Sequence, residues 1–446
     1  MRWLLSRFLI LLVAVACWIA FLALGIRPDY SKWANYKLIT LHFLPPIGMC
    51  LAWWFGRWYV GERNQDAPKV QQDQTEVTEQ KVADPAQARL RQRRQYCDCR
   101  LLAINDLAVH EALGLPESRS VAISMVKADE KSQQISSHDN RGALDAGIAE
   151  ALGYIYAECG AAAALPIYLV SPADFAAKDA IERVRAIAAK LTFDMKLPVR
   201  LKADGPLVMA MPSRGSASNS VLGLFESIPE LPAAVVLAFD SVMAQVSSTA
   251  KKPGHGVFAL LVTAADFPAM LEATSIDDNQ SHGRYSDSSL PLLASLPKPL
   301  RDEMGTLGTV ARIHRAATGK VDDKPGRAQA LEQALTALLE QAQLNAFTSQ
   351  QTSEPGCEWL VHNAGESKQT GGRLASIAGA LMHRKIELKP VEMATDMLRH
   401  VGDLGYASSI GMLAVALVQA QGKAAPVLCA EFAEPNGVAL AFAMPA

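Results

Sequence analysis

The chain has 446 residues, with 43 Lys and Arg against 45 Asp and Glu, and 50% of its residues are hydrophobic. This length allows roughly two to three domains of ordinary size. The near-neutral charge excludes a nucleic-acid binder that relies on net positive charge, and the apolar content excludes a disordered or collagen-like chain. The seven cysteines are an odd number scattered over the sequence, which excludes a disulfide framework.

Two apolar runs near the N-terminus predict a membrane hairpin. The first run, 8–26, has 19 residues without a charge, which is about the length that crosses a hydrocarbon core of roughly 30 Å. A secretory signal peptide is the alternative, because Arg2 and Arg7 precede this run. The run is longer than an h-region, however, and no A-x-A cleavage site follows it. The second run, 38–55, contains a proline pair that would kink a helix.

The basic residues around these runs predict that both termini face the cytoplasm. The loop between the runs carries three basic residues, and the two flanks together carry more. We therefore divide the chain into a membrane hairpin at 1–61, a polar linker or short polar helix at 62–95 and a soluble domain at 96–446. The basic stretch at 88–94 either contacts anionic lipid headgroups or forms a solvated surface.

In the soluble domain, β-branched runs alternate with helical stretches rich in Ala and Leu, which is typical of an α/β layered fold. The predicted strands are 166–170, 235–240, 257–264, 358–362, 427–433 and 438–444. The predicted helices are 142–159, 176–191, 328–347 and 409–419. The last of these helices is apolar on all sides, so we expect it to be enclosed between layers.

An internal repeat links two parts of this domain. The sequence GSASNSVLGL, from Gly215, leads through a helix to the strand VVLAFDSV and then to a second strand. The sequence GYASSIGML, from Gly405, leads through a helix to PVLCAEFA, a Pro-Asn-Gly turn and GVALAFAMP. The Asn-Gly step indicates a hairpin. This repeated order predicts a duplicated α/β architecture with pseudo-twofold symmetry.

Three parts of the sequence resemble the thiolase and ketoacyl-synthase superfamily. They are VGDLGYASSIGMLAVAL at 401–417, the strand ending WLVHNAGE at 359–366 and the C-terminal hairpin. The resemblance implies a duplicated five-layer α/β/α/β/α domain. It also implies an active site with a cysteine nucleophile at the start of the first central helix and two histidines.

The catalytic residues that this resemblance implies are largely absent. The region of the nucleophile, 213–220, reads SRGSASNS, so Ser216 or Ser218 is the nearest substitute for the cysteine. His362 matches the first histidine, and Asp403 stands in the glycine-rich turn where the second is expected. An unassisted serine is a poor nucleophile at neutral pH. We therefore expect these four residues to form a vestigial pocket that does not catalyse acyl condensation.

Other sites of chemistry are not predicted. The sequence contains no G-x-S-x-G, Walker A, G-x-G-x-x-G or H-E-x-x-H motif. Cys97 and Cys99 lack the further ligands of a zinc site. We interpret Asp240 and His255 as cap or turn residues. We expect neither a cofactor nor a metal ion.

The two spans, the polar linker and the degenerate domain together resemble the type VI secretion lipase adaptor family. This resemblance implies a non-catalytic adaptor at the bacterial inner membrane, with its soluble domain in the cytoplasm. Its partners would be a lipase effector and the secretion spike protein. Two alternatives stay open: an acyl-thioester enzyme that uses Ser216 or Ser218 with His362, and a structural envelope component with a periplasmic domain. The sequence also leaves a homodimer open.

Overall fold

The computed structural model describes residues 85–106, 118, 120–124, 137–171, 177–197, 206–241, 254–277, 296–321, 328–347, 356–365, 372–433 and 436–446. These residues belong to one compact unit, which extends from Glu79 to Ala446. Within these ranges, no helix is long and apolar enough to cross a membrane. Both predicted spans, at 8–26 and 38–55, lie outside the described residues and stay predictions.

The first half of the unit alternates strands and helices and ends in a hairpin. Its strands are β1 (Tyr96–Asp106), β2 (Val121–Ser124), β3 (Ile167–Val170), β4 (Val208–Ala210), β5 (Ala233–Ser241) and β6 (His255–Ala264). Its helices are α1 (Pro85–Gln95), α2 (Ser137–Glu158), α3 (Ala177–Asp194) and α4 (Ala217–Ser227). Two further helices, α5 (Phe267–Asp277) and α6 (Lys298–Thr306), lead to the second half.

The second half repeats this alternation. Its strands are β7 (Ala311–His314), β8 (Ala317–Lys320), β9 (Trp359–His362), β10 (Ala394–Asp396), β11 (Val427–Ala433) and β12 (Gly437–Pro445). Its helices are α7 (Ala328–Phe347), α8 (Arg373–His383), α9 (Met397–His400) and α10 (Ser408–Lys423), and a 3-10 turn at Gly405–Ala407 precedes α10.

The two halves have the same strand order. Strand β2 pairs with β1 and β8 pairs with β12 at the side of the main path, which leaves five strands in each half. In space these run β4-β3-β5-β6-β1 in the first half and β10-β9-β11-β12-β7 in the second. Numbered one to five along the chain, both halves have the order 3-2-4-5-1. In each half the fifth strand, β6 or β12, is antiparallel to both of its neighbours. Strands β1 and β7 pair antiparallel and join the halves into one mixed sheet. The repeated order confirms the duplication that the sequence predicts.

Among the described residues, three large hydrophobic cores and one small cluster of alanines lie on the faces of this sheet. The central core contains α4 and α10 together with alternate residues of β5, β6 and β11. The intervening residues of β5 and β6 pack with α2 and α3 in a second core. In the same way, the alternate residues of β11 and β12 that face away from the central helices pack with α7 and α8 in a third core. The two halves of the sheet therefore lie on either side of the central helices, and the outer helices cover their opposite faces. This gives five layers: helices, first half of the sheet, central helices, second half of the sheet, helices.

Helix α10 is the most enclosed helix of the central layer. Every residue from Ile410 to Ala420 is buried, which confirms the expectation for 409–419. A Cβ at Gly411 would lie 2.8 Å from Cζ of Phe258 on β6, so the missing side chain lets the helix approach the sheet closely. The predicted hairpin is also present: Ala433 pairs with Gly437, and Asn436 has φ of 61° in the turn.

Several elements differ from the sequence-based expectation. The first strand, β1, was not predicted, because it begins directly after a basic run and its first residues include an aspartate and an arginine. Strands β4 and β10 were also missed, since three residues are too few for a periodic pattern to emerge. For 62–95 the sequence left a polar linker or a short polar helix open. Residues 85–95 form a helix, α1, which packs against α4 of the domain.

Candidate functional site

Ser216 begins helix α4, as the sequence GSASNS favours. Gly215 takes a φ of 80°, which a glycine adopts without strain, and Ser216 is extended, with φ of −158° and ψ of 161°. The Oγ of Ser216 accepts a hydrogen bond of 3.2 Å from the backbone N–H of Asn219, which is a helix N-cap. Ser216 therefore has a structural task at the helix end.

Ser218 is a different case. It is 3% exposed, and its Oγ has no hydrogen-bond partner in the part of the chain that the structure describes. Ser220, two residues on, donates a 2.7 Å hydrogen bond to the carbonyl oxygen of Ser216 and accepts one of 2.9 Å from the N–H of Arg214. A serine nucleophile needs a base within hydrogen-bond reach. Ser218 has none among the described residues.

Glu431, which is not predicted from the sequence, contributes a buried carboxyl group to this site. Glu431 lies on β11, where the strand's alternation directs it toward the central layer with Val427 and Cys429. Its carboxylate accepts hydrogen bonds from Ser409 Oγ on α10 and, at 3.4 Å, from the backbone N–H of Ala217 at the start of α4. The available signal was a single glutamate in the otherwise apolar strand VLCAEFA.

Burial decides the electrostatics of Glu431. Desolvation raises the pKa of this carboxyl, whereas the hydrogen bonds from Ser409 and the Ala217 N–H act to lower the pKa. The start of α4 also favours a negative charge through the helix dipole and its unpaired N–H groups. Glu431 therefore occupies, with its own carboxylate, the place where this helix would bind an external anion.

Beside Glu431 the structure has a cavity of about 10 Å³. This is about the room that one water molecule needs. Its lining consists of Ser216, Ala217, Ser218, Ala316, Leu413, Cys429, Glu431, Ala439 and Ala441. The Cys429 thiol is inert here, because desolvation and the neighbouring Glu431 raise its pKa. The cavity is far too small for an acyl chain.

His362 and Asp403 do not line this cavity. His362 is the last residue of β9 and is 2% exposed; its Nδ1 accepts a 3.2 Å hydrogen bond from the N–H of Ala364. Burial lowers the pKa of His362, nearby Asp396 acts to raise it and His400 to lower it. Asp403 Oδ1 accepts a 2.8 Å hydrogen bond from the N–H of Gly405. Both residues thus serve local structure, as strand end and turn.

Asp240 is the counterpart of Glu431 in the first half. It follows Val236 and Ala238 on the central face of β5, as Glu431 follows Val427 and Cys429 on β11. Its Oδ2 accepts a 2.8 Å hydrogen bond from the N–H of Tyr406, in the turn that precedes α10. Each half therefore extends a buried carboxylate from its fourth strand to the start of the other half's central helix.

A second contact also joins the halves at the start of α4. The Asn219 side chain donates to the carbonyl oxygen of Ala316 at 3.2 Å and accepts from the Ala316 N–H at 2.9 Å. Ala316 lies between β7 and β8 of the second half. Together with the Glu431 contact, this pairing fixes the α4 N-terminus against the second half.

The remaining titratable candidates are buried, and within the described part of the chain none of them has a catalytic partner. His255 is 5% exposed, its Nε2 has no hydrogen-bond partner among the described residues, and burial lowers its pKa to about 4. Cys97 and Cys99 lie on β1 in the central core, and desolvation raises the pKa of both thiols. Among the described residues, no group of three or more His, Cys, Asp or Glu could hold a metal ion.

No protein-family model matches the chain, and no curated protein matches its sequence. Among solved structures, human mitochondrial 3-ketoacyl-CoA thiolase in complex with CoA is 8% identical and covers 79% of this chain and 98% of its own, with a TM-score of 0.42. A type II polyketide ketosynthase in complex with its acyl-carrier protein is 9% identical, covers 79% and 100%, and has a TM-score of 0.44. An oxazolomycin ketosynthase domain from Streptomyces albus is 13% identical, covers 64% and 73%, and has a TM-score of 0.37. At such low identity and TM-score, no statement about the activity of this chain follows from these likenesses.

Proposed function

We propose that this chain is a non-catalytic adaptor that binds a lipase effector and targets it to a type VI secretion spike protein from the inner membrane. The observation that carries the non-catalytic part is the position of Glu431. Its carboxylate accepts a hydrogen bond from the Ala217 N–H at the start of α4, beside the serines that replace the family's cysteine. The Glu431 carboxyl thus occupies a backbone N–H that could otherwise stabilise the negative charge that develops during acyl transfer.

Two further features support a domain without acyl chemistry. The cavity beside Ser218 has room for about one water molecule. The groups that the resemblance assigns to catalysis are used elsewhere, since His362 accepts from its own strand end and Asp403 from its own turn.

The assignment to secretion rests on the resemblance of the sequence to lipase adaptors and on the predicted membrane hairpin. An adaptor works by association, and binding energy concentrates in a few exposed anchors. Large apolar side chains are available for this role on the described surface. Tyr406, Phe193, Met382 and Val391 are 56%, 83%, 77% and 86% exposed, respectively.

Affinity capture tests the proposal. The tagged full chain is purified from solubilised membranes of its own cells, and the proteins that accompany it are identified by mass spectrometry. We expect a lipase and a spike protein. The Ser218→Ala variant should retain both partners, because its Oγ makes no hydrogen bond. Single alanine variants of Tyr406, Phe193, Met382 and Val391 should include at least one that folds and loses a partner.

The acyl-thioester enzyme is the second candidate, and one observation favours it: the hydroxyl of Ser218 lines the cavity and has no hydrogen-bond partner among the described residues. Incubation with acyl-CoA substrates followed by intact-mass measurement separates the two functions. The adaptor proposal expects no adduct. An acyl adduct on the wild type that disappears in Ser218→Ala, together with thioester turnover, would establish the enzyme and refute the adaptor.

A further inference from the structure

A buried arginine, Arg93, connects helix α1 to the domain. Arg93 is 4% exposed, and its Nε donates a 2.6 Å hydrogen bond to the carboxylate of Asp266. Its two terminal nitrogens contact the carbonyl oxygen of Pro229 and, at 2.9 Å, the sulfur of Met270. A buried ion pair with additional hydrogen bonds fixes the geometry of both partners. The orientation of α1 is therefore set by the domain.

This anchoring leaves basic side chains of α1 on the outside. Gln87, Arg91 and Arg94 are exposed, and their spacing of four and three residues places them on one face of the helix. Arg93 lies on another side, so the stripe points away from the domain. The sequence of α1, PAQARLRQRRQ, contains no acidic residue.

Two arginines of the domain extend the stripe. Arg315 donates a 2.6 Å hydrogen bond from Nε to the carbonyl oxygen of Arg94, and Arg315 and Arg214 both pair with Glu226. Burial lowers the pKa of Arg315, and the positive charges of Arg214 and Arg94 lower it further, as expected for guanidinium groups that crowd together. We call Arg91, Arg94, Arg214 and Arg315 the α1 basic surface.

The charge around this surface is strongly one-sided. Glu226 lies between Arg214 and Arg315, and Glu230 follows Pro229. Asp266 is already bound by the buried Arg93. Among the described residues, the four arginines of the α1 basic surface therefore outnumber the two carboxylates near them, Glu226 and Glu230. The excess positive charge attracts an anionic surface within a Debye length of roughly 8 Å at physiological salt.

We propose that the α1 basic surface binds the anionic phospholipid headgroups of the membrane that holds the chain. The inference rests on the membrane attachment included in the proposed function, but not on the effector or the spike protein. The second apolar run ends at Phe55, and α1 begins at Pro85. The intervening residues can span at most about 100 Å, so the surface stays at high effective concentration near the bilayer. Guanidinium groups also match phosphate oxygens in geometry.

Photo-crosslinking of the full chain tests this contact. The photoreactive residue p-benzoylphenylalanine replaces Gln87 on the stripe or, as the control, Phe193, which is 83% exposed on α3. Each protein is reconstituted in vesicles of phosphatidylcholine alone or with phosphatidylglycerol, irradiated and analysed for lipid adducts. We expect adducts at Gln87 that depend on phosphatidylglycerol and weaken at 0.5 M salt, and no such dependence at Phe193.

Charge reversal sharpens the test. Arg91→Glu with Arg94→Glu should lower the adduct yield at Gln87 at least about tenfold. The matched pair Lys178→Glu with Lys190→Glu, both exposed on α3, should leave the yield unchanged. Thermal unfolding verifies that each variant folds.

Two results would overturn the inference. One is an adduct yield at Gln87 that is no higher with phosphatidylglycerol than without it, and the other is a yield that charge reversal leaves unaltered. Resistance of the same protein to alkaline extraction from neutral vesicles reports the membrane attachment separately. Failure of the headgroup contact can thus be distinguished from failure of the anchor.

Discussion

At the scale of single residues, two buried carboxylates connect the two halves of this domain. Asp240 and Glu431 occupy equivalent places on β5 and β11, and each accepts a backbone N–H at the start of the opposite half's central helix or the turn before it. A carboxylate at a helix N-terminus is stabilised by the helix dipole and by unpaired N–H groups. The same feature that could assist catalysis in an open site here joins the two halves.

The first prediction concerns the charge of Glu431. Because desolvation raises its pKa above the ordinary value of 4.5, ionisation costs stability in the folded state. The wild type should lose stability as pH rises from 4.5 through the folded pKa, and Glu431→Gln cannot titrate. The free energy of unfolding of Glu431→Gln minus that of the wild type should therefore increase between pH 4 and pH 7. The increase should be about 1.4 kcal/mol for each pH unit by which the pKa is raised.

Urea unfolding at several pH values measures this difference. A constant difference between Glu431→Gln and the wild type across this pH range would show that burial does not perturb the carboxyl.

The second prediction concerns His255. Burial lowers its pKa to about 4, so the folded state binds the proton more weakly than the unfolded chain, whose histidine titrates near 6.5. The stability that neutral His255 provides is complete above pH 6.5 and is lost as pH falls toward 4. Between pH 7 and pH 4.5, His255→Gln should lose about 2 to 3 kcal/mol less unfolding free energy than the wild type.

Denaturant titrations at both pH values provide the comparison. If His255→Gln and the wild type lose the same free energy, the buried imidazole does not account for acid sensitivity.

At the scale of elements, α10 determines the integrity of the domain. It touches both parts of the sheet and lies in the central core with α4, and its residues from Ile410 to Ala420 are all buried. Apolar burial on all sides means that no face of this helix tolerates a charge. An amphipathic helix such as α7 differs, because Leu331, Leu335 and Leu339 face the core while Leu344 is 52% exposed.

The third prediction compares these two helices. Leu413→Asp places an unpaired carboxylate at a position that is 2% exposed and should cost several kcal/mol, enough to abolish cooperative thermal unfolding. Leu344→Asp introduces the same group on α7 and should shift the midpoint by only a small amount, since exposed substitutions usually change stability by less than about 0.5 kcal/mol. Unchanged thermal stability of Leu413→Asp would contradict the central placement of α10.

At the scale of the whole molecule, the two halves of the domain share one continuous sheet. Helices α4 and α10 lie between the two halves of this sheet, and α2, α3, α7 and α8 cover its outer faces. Strands β1 and β7 join the halves through the pairs Tyr96 to His314 and Asp98 to Arg312. Asp98 is flanked by Arg100 and Arg312, although desolvation still raises its pKa overall. The halves are thus linked by backbone pairing as well as by the two buried carboxylates.

The fourth prediction is the topology of the chain. The distribution of basic residues around 8–26 and 38–55 predicts that both termini are cytoplasmic. The C-terminal residue Ala446 is exposed after β12, so a reporter can be fused there. A fluorescent-protein fusion should fluoresce and an alkaline phosphatase fusion should be inactive in intact cells. The reverse pattern would place the domain in the periplasm and favour the structural envelope component.

Much of the fold could be predicted from the sequence because the signals are local. The helix at 328–347 and the strand at 427–433 have the predicted bounds, since apolar periodicity and strand alternation depend on neighbouring residues alone. The Asn-Gly step specified the last hairpin for the same reason. Strand β1 was missed, because its burial comes from pairing with β6 and β7, which follow far along the chain.

The sequence by itself determined the α/β alternation, the internal repeat and the absence of cysteine from residues 213–220. Only the tertiary structure decided that the carboxyl group of Glu431 lies at the start of α4. Glu431 and Ala217 are separated by 214 residues, Asp240 and Tyr406 by 166, and Arg93 and Asp266 by 173. No local pattern encodes such pairs: a buried charge selects its partner by proximity in the folded chain, and the cost of leaving it unpaired makes that partner obligatory.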